Sequence, residues 1–209
     1  MVYKNKENFD IRKSHLRPFP HPSSLHPKIA RALVNMTGIK NNEVLLDPFC
    51  GTGGFLIEAG LMGMKTIGYD INKIMIKGCK ENLKYFKIRN FKLKIKNAIS
   101  INDRFDCFVT DLPYGLNSNI YLQHNKKSLK QKDNKINLKN NKQNQIKNIE
   151  KFYLKFLKML RKILKKKAVI IFPSFVNYKK LLKIAKFKVE KEFEIYVHRS
   201  LTRRIVRIK

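Results

Sequence analysis

From Pro27 to Thr37 apolar residues return every three or four positions. Ile29, Leu33 and Met36 share one face, Pro27 stands in the first turn and Gly38 lies past the end, a pattern that predicts a helix. Short apolar runs beginning at Glu43, Lys65, Phe91, Phe105 and Lys167 have the length of buried strands. They alternate with helical patterns beginning at Phe55, Asn72, Lys147 and Val176. Such alternation predicts an α/β fold with a doubly wound, mostly parallel sheet covered by helices on both faces. Lys188 to His198 and Arg203 to Ile208 read as two further strands joined by a short turn. Phe152, Phe156, Met159, Leu160 and Ile163 recur at helical spacing, and they read as core contacts with a lysine face toward solvent.

The periodicity fails between Asn117 and Glu150. That stretch is dominated by Lys, Asn and Gln, and its apolar residues Ile120, Leu122, Leu129, Ile136 and Leu138 are too sparse to bury a face. Disorder or a loose lid is the expectation there.

Composition changes the picture in three ways. A chain of 209 residues suits one domain, and a domain of that size buries roughly 70% of its unfolded surface, so no covalent staples are needed. Its three cysteines, Cys50, Cys79 and Cys107, stand singly with no zinc-like spacing and read as small apolar residues in a reducing compartment. No apolar run approaches the ~20 residues of a membrane helix, and the polar start lacks a signal-peptide core, so the expected location is cytoplasmic and no membrane is expected as a partner. Finally, 46 Lys and Arg against 15 Asp and Glu leave a net charge of +31. Such a charge draws phosphate backbones in a salt-dependent way. The same excess of Lys, Asn and Ile also arises by drift in an adenine- and thymine-rich genome, so charge alone does not identify the nucleic acid.

Two motifs carry the candidate chemistry. Glu43-Val44-Leu45-Leu46-Asp47 runs directly into Pro48-Phe49-Cys50-Gly51-Thr52-Gly53-Gly54 and then into an apolar helix. This is a strand, a glycine loop that permits close ligand approach, and a helix. The acidic Asp47 at the loop's opening suits a cationic amino group better than a pyrophosphate. Asp70 ends the next strand about 20 residues beyond the first loop glycine, the spacing that sets a carboxylate on ribose hydroxyls. An amino acid joined to a nucleoside fits both ends, and that ligand is S-adenosyl-L-methionine. The second motif is Thr110-Asp111-Leu112-Pro113-Tyr114-Gly115. An Asp111 oxygen and the Leu112 carbonyl can each accept one N–H of an exocyclic amine, while Tyr114 offers a π-face for stacking. On its own the stretch is equally a type I turn with Pro113 at its second position.

Taken with their flanks, these residues resemble a known family. Asp47 to Gly54, Asp70 and Asp111 to Gly115 are similar to class I methyltransferases that modify exocyclic amines of nucleic-acid bases. His21 to Asn35 and His198-Arg199-Ser200-Leu201-Thr202-Arg203-Arg204-Ile205 resemble the archaeal tRNA guanine-N2 methyltransferases acting on guanosine-10. The resemblance runs from about Arg17 to the C-terminus and covers the catalytic half of that family, without its THUMP region. It implies a Rossmann-like methyltransferase domain over 27–209 after an N-terminal extension at 1–26, with an antiparallel C-terminal edge hairpin, whereas the basic insert at about 117–150 has no counterpart in the family pattern. It implies cofactor contacts by Asp47, Phe49, Gly51, Gly53, Asp70, Ile71, Asn97, Ala98 and Asp111, and catalysis by Asp111, Leu112, Pro113 and Tyr114. Arg199, Arg203 and Arg204 are expected to grip RNA, although they also fit an exposed hairpin turn. The expected partners are tRNA and a separate THUMP-containing or other RNA-docking subunit acting in trans, with the insert as a basic flap on the RNA backbone.

Departures from the family pattern bear on activity. Leu112 replaces a usual proline, which keeps the carbonyl and gives up a fixed φ. Asn97 replaces an acidic acceptor for the adenine amine and retains an acceptor oxygen. A basic RNA-binding or scaffold subunit with impaired catalysis therefore stands as one alternative, and an adenine-N6 DNA methyltransferase with similar acceptor chemistry as another. That no Pro-Cys dipeptide follows a strand speaks against a cytosine-C5 mechanism with a thiolate nucleophile. The five histidines lack consistent spacing and cysteine partners, so no metal is expected.

Overall fold

The computed structural model describes residues 7–22, 24–114, 135–199 and 201–209, with side chains left aside over 135–142. In chain order the elements are α1 (Pro27–Met36), β1 (Val44–Asp47), α2 (Gly54–Leu61), β2 (Lys65–Asp70), α3 (Lys73–Tyr85), β3 (Phe91–Ile95), β4 (Phe105–Asp111), α4 (Lys135–Ile163), β5 (Leu164–Pro173), α5 (Tyr178–Ile184), β6 (Val189–His198) and β7 (Leu201–Ile208). The seven strands form one sheet in the order β3-β2-β1-β4-β5-β7-β6. The first five are parallel, and β7 runs antiparallel between β5 and β6. The expected doubly wound sheet with an antiparallel edge hairpin is therefore observed.

The burial of β5 shows why the sheet needs two helical layers. Ala168 to Phe172 are all fully buried, with Ala168, Ile170 and Phe172 facing one way and Val169 and Ile171 the other. The first set packs on Tyr153, Phe156, Leu157 and Leu160 of α4 and Leu181 and Leu182 of α5. The second set packs on Ala30, Leu33 and Val34 of α1 and Phe55 and Ala59 of α2. A strand buried on both faces reads as a continuous apolar run, as Ala168 to Phe172 does.

The insert departs from expectation. Helix α4 begins at Lys135, well before the Lys147 predicted from periodicity, so the 135–150 part of the stretch expected to be disordered is helical. Ile149 is buried in the main core, and Glu150 accepts the Asn177 N–H at 3.0 Å. Once the apolar half of a helix is docked, extension through Lys and Gln costs little, because propagation adds one hydrogen bond per residue. The expected flap over 117–134 lies outside the described residues.

The segment before α1 packs on α2 and α3. Arg12 and Arg31 both pair with the fully buried Glu58, Arg12 at 2.9 Å and Arg31 at 3.1 Å. The Phe19 N–H donates to Asn82 Oδ1 at 2.9 Å, and Asn82 Nδ2 donates to the carbonyls of Phe19 and Thr52, each at 3.0 Å. Asn82 therefore ties this segment to the glycine loop.

Candidate active site

The strand order reverses between β1 and β4, so the loops after these two strands flank the crevice where open α/β sheets bind ligands. Asp47 ends β1 and Asp111 ends β4. The Thr110 hydroxyl, fully buried on β4, donates to Asp47 Oδ1 at 2.9 Å and bridges the two strands. Asp47 is 2% exposed and takes a second bond from the Phe49 N–H at 3.1 Å. Burial pushes its carboxyl up to about 8, those two donors oppose the rise, and the charges of Asp70 and Asp111 add to it. It is a buried acid with only neutral donors, a preformed partner for an incoming cation.

The glycine loop is shaped by what it must touch. Gly53 has φ +89°, and a Cβ there would stand 2.7 Å from Cys79 Sγ on α3. Only glycine meets both the left-handed backbone and the close approach. Asp70, at the end of β2, takes the Gly51 N–H on Oδ2 at 3.0 Å and the Asn72 N–H on Oδ1 at 2.9 Å. Burial raises its pKa against these backbone donors. The carboxylate is thereby fixed beside the loop, and its remaining lone pairs suit hydroxyl donors such as a ribose diol. Ile71 is exposed beside it, and Phe49 packs edge-on against Phe152 and Phe156 of α4. Asn97 caps the short turn at Ala98–Ser100, its Oδ1 accepting the Ile99 N–H at 3.1 Å, and Ala98 is buried. Its acceptor oxygen is thus shared with the cap, a use that residue type alone did not reveal.

The acceptor motif is more tightly connected than its sequence suggests. Leu112 is 1% exposed and its N–H donates to the Ile171 carbonyl at 3.2 Å, a bond that proline could not make. The departure from the family proline is therefore offset by one more tie to β5. The Pro113 carbonyl accepts the Tyr153 hydroxyl at 2.9 Å, so α4 fixes the turn from beneath. The Tyr114 hydroxyl donates to Asp111 Oδ1 at 2.6 Å, and its ring stands against the carboxylate instead of away from it.

Of the three arginines expected to grip RNA, Arg203 lies inside this site. Its Nη2 is 3.4 Å from Asp111 Oδ2 and its Nε donates to the Tyr114 hydroxyl at 2.9 Å. Arg204 pairs with Glu194 across the hairpin, and Arg199 is exposed near the β6–β7 turn. The three do not form one cluster, because successive residues on β7 point to opposite faces of the sheet. Burial pushes Asp111 up to about 6, against the pull of Arg203 and the Tyr114 hydroxyl. Burial also raises Tyr114, as does the neighbouring Asp111 charge, so its phenol stays protonated.

Thr110 and Tyr153 were not singled out as site residues from sequence. Thr110 carries no local signal beyond its place beside Asp111. Tyr153 is the polar residue within the apolar stripe of α4, and its hydroxyl needed a partner once buried.

Comparison with known proteins agrees with this geometry. Residues 14–131 match the family described as RMKL-like, methyltransferase domain. The chain is 34% identical to the tRNA (guanine(10)-N2)-dimethyltransferase of Methanothermobacter thermautotrophicus over 98% of its own length and 54% of that protein. It is 36% identical to the probable tRNA (guanine(10)-N2)-dimethyltransferase of Methanothermococcus thermolithotrophicus over 85% of its own length and 95% of that protein. The crystal structure of TrmN from Thermus thermophilus has the same fold, with a TM-score of 0.66 and 16% identity over 90% of this chain and 50% of that one. The chain spans about half the length of the first two curated relatives it matches. With a family match over more than half the chain and a relative covered almost end to end, this chain belongs to the RMKL-like methyltransferase family.

Proposed function

We propose that this chain transfers a methyl group from S-adenosyl-L-methionine to the exocyclic N2 of a guanosine in tRNA, guanosine-10 being the expected target. The carrying observation is the pair of carboxylates at the ends of adjacent strands, the buried Asp47, which takes the Thr110 hydroxyl, and the part-buried Asp111, which takes Tyr114 and Arg203. The relatives at 34% and 36% identity, named as tRNA (guanine(10)-N2)-dimethyltransferases, supply the substrate class.

The residues present fit the cofactor. Asp47 would pair with its ammonium group, and Asp70 would accept its ribose hydroxyls. When bound, the cofactor supplies a methyl group already activated on a sulfonium. Asp111 and the Leu112 carbonyl then orient the amine by accepting its two N–H bonds, which favours the pyramidal nitrogen and its developing positive charge. Asp111 would take the proton that N2 gives up as it gains the methyl group. A guanosine within folded RNA reaches Tyr114 by leaving its stack.

Docking of tRNA by a further unit, expected as a THUMP-containing subunit in trans, belongs to the same proposal. Full-rate modification of cognate tRNA by the purified chain alone would remove it. The three described cysteines are free and buried, which supports the expected cytoplasmic location, and no described helix is long and apolar enough to cross a membrane. Labelled methyl transfer to unmodified tRNA transcripts, followed by nucleoside digestion, tests the main reading. N2-methylated guanosine supports it, and methyl groups found only on adenine in duplex DNA overturn it.

A further inference from the structure

Both oxygens of Asp111 face a donor, the Tyr114 hydroxyl on Oδ1 and the Arg203 guanidinium on Oδ2. The two donors are held differently. Arg203 sits on β7, paired with Pro173 of β5 on one side and Ile195 of β6 on the other. Its neighbour Thr202 exchanges hydrogen bonds with Ser174, at 2.9 Å through the Thr202 carbonyl and 3.4 Å through its N–H. Tyr114 follows the last residue of β4 by three positions and reaches Asp111 through its side chain. Each oxygen keeps a second lone pair, so an incoming amine can share Oδ1 with the Tyr114 hydroxyl or take its place. Moving Arg203 would leave a part-buried carboxylate without its counter-charge, which is costly, whereas moving Tyr114 exchanges one neutral donor for another.

We propose that Arg203 is a positioning residue for the transfer: it stays as the fixed counter-charge of Asp111 while a guanine amine enters at Oδ1, the oxygen that the Tyr114 hydroxyl holds. This rests on the reading of the chain as a guanine-N2 methyltransferase. It assigns Arg203 to the reaction site and not to the RNA backbone.

Among the described residues, the ionisable groups that bear on Asp111 are Tyr114 on its own loop, Arg203 on β7, Asp47 on β1 and Tyr153 on α4. Arg203 is the one cation of the four. Its own pKa is lowered by burial and raised by Asp111 and Tyr114, with a net rise, so it remains charged throughout.

The test follows the Asp111 carboxyl directly in protein labelled with ¹³Cγ-aspartate, its resonance identified by loss in Asp111→Asn. Arg203→Gln is expected to move the midpoint up by about one pH unit, a tenfold change in the proton equilibrium. Arg203→Lys, which keeps the charge, is expected to stay close to wild type. Tyr114→Phe is expected to move it less than Arg203→Gln does. The acid limb of kcat/KM on tRNA transcript should move in parallel, while S-adenosylhomocysteine affinity by calorimetry stays level. An unmoved midpoint in Arg203→Gln beside normal wild-type turnover overturns the proposal alone. If Arg203→Gln does not fold, a movement of about one pH unit or more in Tyr114→Phe overturns it. Wild-type protein that methylates no RNA overturns the functional reading, and the titration still decides the role of Arg203.

Discussion

The ends of β1 and β4 each carry an aspartate, the buried Asp47 and the part-buried Asp111, and their surroundings differ in kind. Asp47 has one backbone N–H and one hydroxyl, both neutral, and burial pushes it up to about 8. Asp111 has a tyrosine hydroxyl and an arginine, and burial pushes it only to about 6. The difference lies in where the counter-charge comes from. The protein supplies a cation to Asp111, which in the proposed reaction is ionised so that it can accept from an amine at neutral pH. It supplies none to Asp47, which suits a site whose ligand brings its own ammonium group.

The largest effect is expected from removing the acceptor. Asp111→Ala should lower methyl transfer by at least about 10³-fold with cofactor affinity almost unchanged. Radiolabel transfer and calorimetry measure the two separately, and substantial residual turnover would reduce Asp111 to a turn residue. Asp47→Ala should do the reverse and weaken S-adenosylmethionine binding by about 2–5 kcal/mol. At pH 6.5, where the cofactor's amino group is ionised, wild-type binding should also release close to one proton. Calorimetry in buffers of differing ionisation enthalpy would detect it, and no release would mean that Asp47 is already ionised.

Stability against pH sharpens the contrast. A carboxyl with folded pKa about 8 binds a proton that the unfolded chain has released above ~4, so stability falls as pH rises through that window. The slope from Asp47 approaches about 1.4 kcal/mol per pH unit and ends near 8, whereas that from Asp111 ends near 6. Urea unfolding of ligand-free protein at pH 5 and pH 7.5 should show a smaller loss for Asp47→Asn than for wild type. Thr110→Val removes one donor from Asp47 and should weaken cofactor binding by about 1 kcal/mol, roughly fivefold. Tyr153→Phe leaves the Pro113 carbonyl without its donor and should cost about 1 kcal/mol of stability, with kcat down by less than about tenfold. Equal effects of these last two on cofactor binding would erase the distinction between the two ends.

Much of this arrangement was legible from short stretches of chain. The strand, glycine loop and helix at Glu43 to Leu61 announced themselves because apolar runs and glycines act within a few residues of each other. Asp47, Asp70 and Asp111 were identified by their positions at strand ends. The reach of α4 into the 135–150 stretch was missed because its docking at Ile149 and Glu150 depends on elements downstream. Asn97 shows a similar gap, since its type gives an acceptor but not the cap that shares it.

The sequence by itself determined the alternation of elements, the cofactor loop and the residue types of the acceptor motif, because periodicity and turn chemistry are local. Only the tertiary structure decided that Arg203 faces Asp111, with its bond to Tyr114 spanning 89 residues. That meeting depends on β7 inserting between β5 and β6, and strand order is set by burial across the whole sheet. The same holds for the two carboxyl groups: their identity is written in the chain, and their ionisation is set by the water and the charges that the fold leaves around them.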